Sequence, residues 1–231
     1  MSSIPVVPEP VAHIAAVMST YPRPWALCGG WAVDAWLGRV TRDHGDVDIT
    51  VFHDDQRALF QHLAGWNLVA HDADEPQATE PWDGRALALP AHIHARPPGA
   101  ENAELVRRWV TPPYSQANDG RDIEFILNEH RDGAWLLNAE PRAAVTRDVC
   151  VPDSPWAVPA FAPEVIAFFK ATAYLGQGKL WARPHDVSDF EQLFALLRRE
   201  QREWLRGSVA AAYPRHPRLP DLVPVRPPAK E

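Results

Sequence analysis

The residues with the strongest claim to chemistry are Asp46 and Asp48, in the segment GDVDITVF. Side chains alternate along a strand, so Val47 and Ile49 face a core while the two aspartates share the opposite face. Carboxylates side by side repel each other unless a cation lies between them. Hard oxygen donors on a rigid strand suit Mg²⁺, which usually keeps waters and substrate phosphates as its remaining ligands. A second acidic strand repeats the pattern: in RDIEFIL, Asp122 and Glu124 share one face while Ile123 and Phe125 take the other. One of these two can supply a third carboxylate, and because they share a face the spacing does not choose between them.

Upstream, Trp25-Ala26-Leu27-Cys28 runs into Gly29-Gly30, after which Trp31-Ala32-Val33-Asp34-Ala35-Trp36-Leu37 resumes at helical spacing until Gly38. A strand, a glycine turn and a helix present backbone N–H groups and the positive end of the helix dipole without side-chain obstruction, which makes a cradle for phosphate. Gly29 and Gly30 are therefore nucleotide-binding candidates. Carboxylates beside a phosphate cradle are the parts of metal-assisted phosphoryl or nucleotidyl transfer, in which a carboxylate also takes the proton of the attacking hydroxyl.

Several elements must hold these groups. Residues 11–21 carry apolar side chains at helical spacing, ended by Pro22 and Pro24. Residues 46–52 alternate as a strand, and a helix to about Leu63 follows, capped by Asp54 or Asp55 and closed by Gly65. Asn67–Ala70 and Ala91–Ala95 are strand candidates, 72–83 is an acidic loop, 101–109 is a short helix candidate and 122–127 is a strand. From Pro163 the periodicity becomes helical, with helices expected over 163–175, 186–198 and 201–213. The expected organisation is an α/β (α+β) catalytic part over residues 1–150, a smaller helical part over 151–213 and a proline-rich tail over 214–231.

Composition bounds the function. The formal net charge is −7, which argues against a protein that tracks nucleic-acid phosphates and favours a cationic ligand. A hydrophobic fraction of 46% with 23% charged residues excludes wholesale disorder. Only Cys28 and Cys150 are present, so a disulfide framework and a cysteine-rich zinc site are excluded and a reducing compartment fits. The start MSSIPVVPEP has no basic and apolar leader pattern, and no apolar run of about eighteen residues occurs. The chain is expected to be cytoplasmic, with no membrane partner.

The segment GGWAVDAWLGR…TRDHGDVDI, with Gly-Gly about sixteen residues before Asp-x-Asp, resembles the nucleotidyltransferase superfamily that includes DNA polymerase β. Within it, the segment is closest to bacterial aminoglycoside and lincosamide nucleotidyltransferases. The resemblance implies a mixed nucleotidyltransferase sheet flanked by helices, Mg²⁺ and an NTP (ATP) as co-substrate, and a hydroxyl-bearing small acceptor. It places the triphosphate at Gly29 and Gly30, Mg²⁺ on Asp46 and Asp48, and the third carboxylate on Asp122 or Glu124. Asp122 is put first because it resembles the Asp-x-Glu of the aminoglycoside enzymes. Many superfamily members have Gly-Ser at the turn, whereas Gly30 agrees with the antibiotic-modifying branch. The segments APEVIAFFKATAYL and RPHDVSDFEQLFALL resemble the C-terminal helices of these proteins, which makes Lys170 and Arg183 candidates to meet the triphosphate.

Other residues have plainer roles beside the functional ones. Arg39 and Arg42 can reach a phosphate, yet a charged bend is more often solvated. Asp34 is as well read as solvent-facing or cap-linked as a ligand, and His44 as a structural hydrogen-bonding residue. His92 and His94 lack further ligands at zinc spacing. Asp186 and Asp189 suit a helix start. Trp31 and Trp36 read as core, and Trp82 or Trp109 as alternatives for stacking on a base. The acceptor best suited to the acidic stretch 72–83 with Glu101, Glu104 and Glu129 is an aminoglycoside-like polycation. Two rival functions are a toxin-like enzyme acting on tRNA or protein, and a nucleotide-binding module without catalysis.

Overall fold

The computed structural model describes residues 6–76, 81–98, 123–132, 134–136, 144–172 and 184–216. They form two compact units, the first made of the described residues up to 136 with 144–161, the second of 162–172 with 184–216.

The first unit is a mixed sheet with helices. In chain order it contains α1 (Glu9–Met18), β1 (Trp25–Leu27), α2 (Gly29–Leu37), β2 (Val47–Phe52), a 3-10 turn (His53–Asp55) and α3 (Gln56–His62). Then come β3 (Asn67–His71), β4 (Ala91–Arg96), β5 (Ile123–Arg131), β6 (Ala134–Leu136), β7 (Ala144–Thr146) and α4 (Arg147–Cys150). The sheet order is β1-β2-β5-β4-β3, with β6 paired to β5 and β7 to β6. Among the described strands only β2 and β5 run parallel; the other pairs are antiparallel.

Alternation does what the sequence requires. Val47, Ile49, Val51, Ile93, Ala95, Ile123, Phe125 and Leu127 are all buried, so one face of the central strands packs into the core. Val11, Ile14 and Met18 of α1 and Leu59 of α3 are buried with them. That leaves Asp48 and Glu124 on the other face.

The expected cap of α3 takes a different form. Asp55 is the residue before the helix but makes no side-chain cap hydrogen bond, because its carboxylate pairs with Arg23 at 3.3 Å. The strand begun at residue 123 runs on to Arg131, and its far end pairs with β6. Residues 159–161 are drawn into the sheet unit: Leu27 N–H donates to Pro159 O at 2.7 Å and Phe161 N–H to Leu27 O at 3.0 Å, giving a parallel bridge along the outer edge of β1. Trp36 Nε1–H fixes the same passage by donating to Phe161 O at 2.6 Å. The helix candidate at 101–109 lies outside the described residues.

The second unit holds α5 (Pro163–Thr172), α6 (Pro184–Leu196) and α7 (Arg199–Ala212). Val165, Ile166, Phe168, Phe190, Leu193, Leu205 and Val209 make its core. Val187 and Phe194 are only partly buried, and the Arg202 guanidinium covers the Phe194 ring at 4.7 Å. Among the described residues no helix is long and apolar enough to cross a membrane.

Candidate active site

Strand pairing builds the site. Parallel register sets Asp48 beside Glu124, and Asp46 enters just before β2. Asp46, Asp48 and Glu124 each offer one carboxylate oxygen within 4.8 Å of the others. The sequence left the third carboxylate open between Asp122 and Glu124; Glu124 joins the cluster, and Asp122 lies outside the described residues.

The glycine turn sits directly over this cluster. Cys28 N–H donates to Asp48 O at 2.9 Å, which ties the end of β1 to the acidic strand. Gly29 opens α2 with φ +63°, and a Cβ there would lie 1.6 Å from Asp48 Oδ2. Only glycine fits both the backbone angle and the approach. A Cβ on Gly30 would meet His44 Nδ1 at 2.5 Å and Arg42 Nη2 at 2.6 Å. Thus Arg42, predicted from the bend, stands beside the turn, where it also donates to Asp43 O at 3.1 Å.

Asp34 is fully buried rather than solvent-facing. Its Oδ1 accepts Thr41 Oγ1–H at 2.5 Å, and its Oδ2 accepts Thr41 N–H at 3.1 Å and His44 Nε2–H at 2.6 Å. His44 packs on Trp31 with ring centroids 4.3 Å apart. One carboxylate on α2 therefore straps down the loop that delivers Asp46, so the glycine helix and the acidic strand form one rigid piece.

The residue that sequence reasoning missed is His92. Its Nδ1–H donates to Glu124 Oε1 at 2.5 Å. Its neighbour His94 pairs directly with Glu124 across the strands and packs on His71 at 5.2 Å. Burial raises the pKa of Glu124, but the His92 hydrogen bond, the charges of His94 and His92 and a hydrogen bond with Asp48 outweigh it, leaving the group below its ordinary value. Burial lowers the pKa of His92, and the carboxylate beside it reverses the sign, so the net shift is upward. The signal in the sequence was the His-x-His alternation on a strand, informative only once β4 is known to flank β5.

Lys170 lies in the helical unit, where its buried ammonium is 2.8 Å from Asp186 and 2.9 Å from Asp189. Those two aspartates, assigned on sequence grounds to a helix start, are buried partners of a lysine on the preceding helix. Arg183 lies outside the described residues. Trp82 is buried, donates from Nε1–H to Arg85 O at 2.9 Å and meets Phe60 edge-on, so its ring closes a loop.

Comparison with known proteins bears on the whole. Residues 10–80 match the family described as aminoglycoside-2''-adenylyltransferase. A 2''-aminoglycoside nucleotidyltransferase of Klebsiella pneumoniae is 31% identical over 113 residues, covering 43% of this chain and 63% of the relative. One from Escherichia coli is 33% identical over 100 residues, covering 38% and 56%. The chain thus spans somewhat less than two thirds of the length of these curated relatives. The solved structure of ANT(2'')-Ia in complex with adenylyl-2''-tobramycin superposes with a TM-score of 0.54 at 18% identity, over 88% of this chain and 98% of that one. Lincomycin-bound LnuA, a lincosamide antibiotic adenylyltransferase, superposes at 0.51 and 17% identity, over 83% and 99%. The chain has the nucleotidyltransferase fold, and its first part is similar in sequence to the aminoglycoside nucleotidyltransferases.

Proposed function

We propose that this chain is a nucleotidyltransferase that moves AMP from ATP to a hydroxyl of a small acceptor and releases pyrophosphate. One observation carries the reading: the carboxylates of Asp46, Asp48 and Glu124 converge within 4.8 Å beneath a glycine turn that admits no side chain. An all-oxygen donor set of this kind fits Mg²⁺. Bound there, Mg²⁺ would neutralise triphosphate charge and acidify the attacking hydroxyl.

The chain's own residues supply the rest. Gly29 and Gly30 let the first N–H groups of α2 approach phosphate oxygens, and Arg42 adds positive charge beside Gly30. A carboxylate of the set takes the proton of the attacking hydroxyl. The Asp34 strap keeps the glycine turn and the acidic strand in fixed relation, which saves reorganisation during the reaction. For the acceptor we infer an aminoglycoside-like polycation: the net charge of −7 favours it over nucleic acid, and the curated relatives are 2''-aminoglycoside nucleotidyltransferases. ATP chemistry and a chain with only two cysteines, both buried, fit a cytoplasmic setting.

The test is incubation with MgCl₂ and labelled ATP against a panel of aminoglycosides, a lincosamide and bulk tRNA, with products read by mass spectrometry. Transfer of AMP to an aminoglycoside by the wild type, lost in Asp48→Asn, supports the reading. Equal activity in Asp48→Asn, or labelling of tRNA alone, overturns it.

A further inference from the structure

We propose that His92 is a positioning residue of this site: its Nδ1–H holds one oxygen of Glu124 and so turns the other toward Asp46 and Asp48. The inference rests on Glu124 being a metal-site carboxylate in the reading above.

Register makes the contact. His94 pairs with Glu124 and His92 with Ile126, so His92 shares the face of Glu124 one diagonal step away. Such diagonal neighbours are about 7–8 Å apart along the backbone, within reach of an aromatic side chain. The imidazole closes that gap at 2.5 Å. A glutamate's terminal torsion is broad, so an unheld carboxylate spreads its oxygens over many positions. Holding one oxygen fixes the other.

Exposure separates the two histidines. The His92 side chain is 41% exposed while that of Glu124 is 14% exposed, so the His92 contact is not imposed by filling a core. His94 is buried and packs on His71. His94 packs into the sheet and acts on Glu124 through its charge, whereas His92 donates a hydrogen bond to the carboxylate. Partners that hold a metal-ligating group typically change metal affinity by about 10–100-fold when removed.

The experiment titrates MnCl₂ into the full chain and reads free Mn²⁺ by electron paramagnetic resonance, with thermal melts recorded for each variant. Asn can put an amide N–H near the place of Nδ1, whereas Gln puts it near Nε2. His92→Ala and His92→Gln are expected to weaken Mn²⁺ binding about 10–100-fold, and His92→Asn to restore it to within about threefold of wild type. Should His92→Ala fail to fold, the Asn and Gln pair carries the comparison. Wild-type binding by His92→Gln, or binding by His92→Asn as weak as by His92→Gln, overturns the proposal. Glu124→Gln separates the two levels. If it weakens binding while the His92 variants do not, only the positioning role falls; if it binds as wild type does, Glu124 is no ligand and the reading beneath falls as well.

Discussion

Replacing Gly29 with alanine puts the proposed geometry under its sharpest stress. The new Cβ would lie 1.6 Å from Asp48 Oδ2, 2.5 Å from its Cγ and 2.8 Å from its Cβ. Ordinary contact begins at 3.4 Å, so the Asp48 carboxylate must shift by more than an ångström, because all three clashing atoms belong to that one side chain. A misplacement of about 1 Å at a reacting centre can cost about 100-fold in rate, or about 2.7 kcal/mol. The backbone adds its own cost: φ is +63°, and an L-residue there loses about 1–2 kcal/mol of stability. Gly65 provides the control, since its φ is +84° and a Cβ there meets nothing within 4 Å. Gly65→Ala should therefore lose only this backbone share in urea unfolding, and Gly29→Ala at least as much. Only Gly29→Ala should lose pyrophosphate release from Mg·ATP and an aminoglycoside, by about 100-fold or more. Activity of Gly29→Ala within fivefold of Gly65→Ala would refute the reasoning.

Three more expectations follow from buried charge. Asp34→Ala strips the acceptor from Thr41 and His44 and should cost about 3 kcal/mol in denaturant unfolding; a loss under 1 kcal/mol would mean the loop is held by other means. Lys170→Met leaves Asp186 and Asp189 buried without their cation and should cost about 3–5 kcal/mol, largely recovered when both aspartates become asparagine; no recovery in the triple variant contradicts an ion-pair origin. Asp72 is buried against Arg85 at 2.8 Å and accepts N–H bonds from Glu75 and Ala88; the Arg85 hydrogen bond leads in holding its pKa down at about 2. A depressed folded-state pKa stabilises above the unfolded value of 3.8 and is lost as pH falls toward about 2, so about 2 kcal/mol should vanish across that window. Asp72→Asn should flatten that part of the stability–pH curve, and an unchanged curve would count against the assignment.

Much of the site was legible because its parts are local. Asp46 and Asp48 needed only the two-residue alternation of a strand, and Gly29-Gly30 only the meeting of a strand with a helical run. What escaped the sequence depends on pairing between distant segments. Asp122 and Glu124 have the same parity, and the register that sets Glu124 beside Asp48 is a property of the β2–β5 pair. His92 becomes meaningful only because β4 flanks β5 on its other side. The role of Asp34 stayed open because nothing in the helix reveals that Thr41 and His44 fold back onto it. The short strands Ala134–Leu136 and Ala144–Thr146 span three residues each, too few for an alternating pattern to register. The carbonyl of Pro159 accepts the N–H of Leu27, a pairing open to proline because it lacks only the donor.

The most direct measurement is anomalous diffraction at the manganese edge from crystals grown with MnCl₂ and a non-hydrolysable ATP analogue. The account predicts a peak about 2.1 Å from oxygens of Asp46, Asp48 and Glu124, with the analogue's phosphates against Gly29 and Gly30. A peak elsewhere on the chain, or one bound by Asp46 and Asp48 with Glu124 turned away, would contradict it.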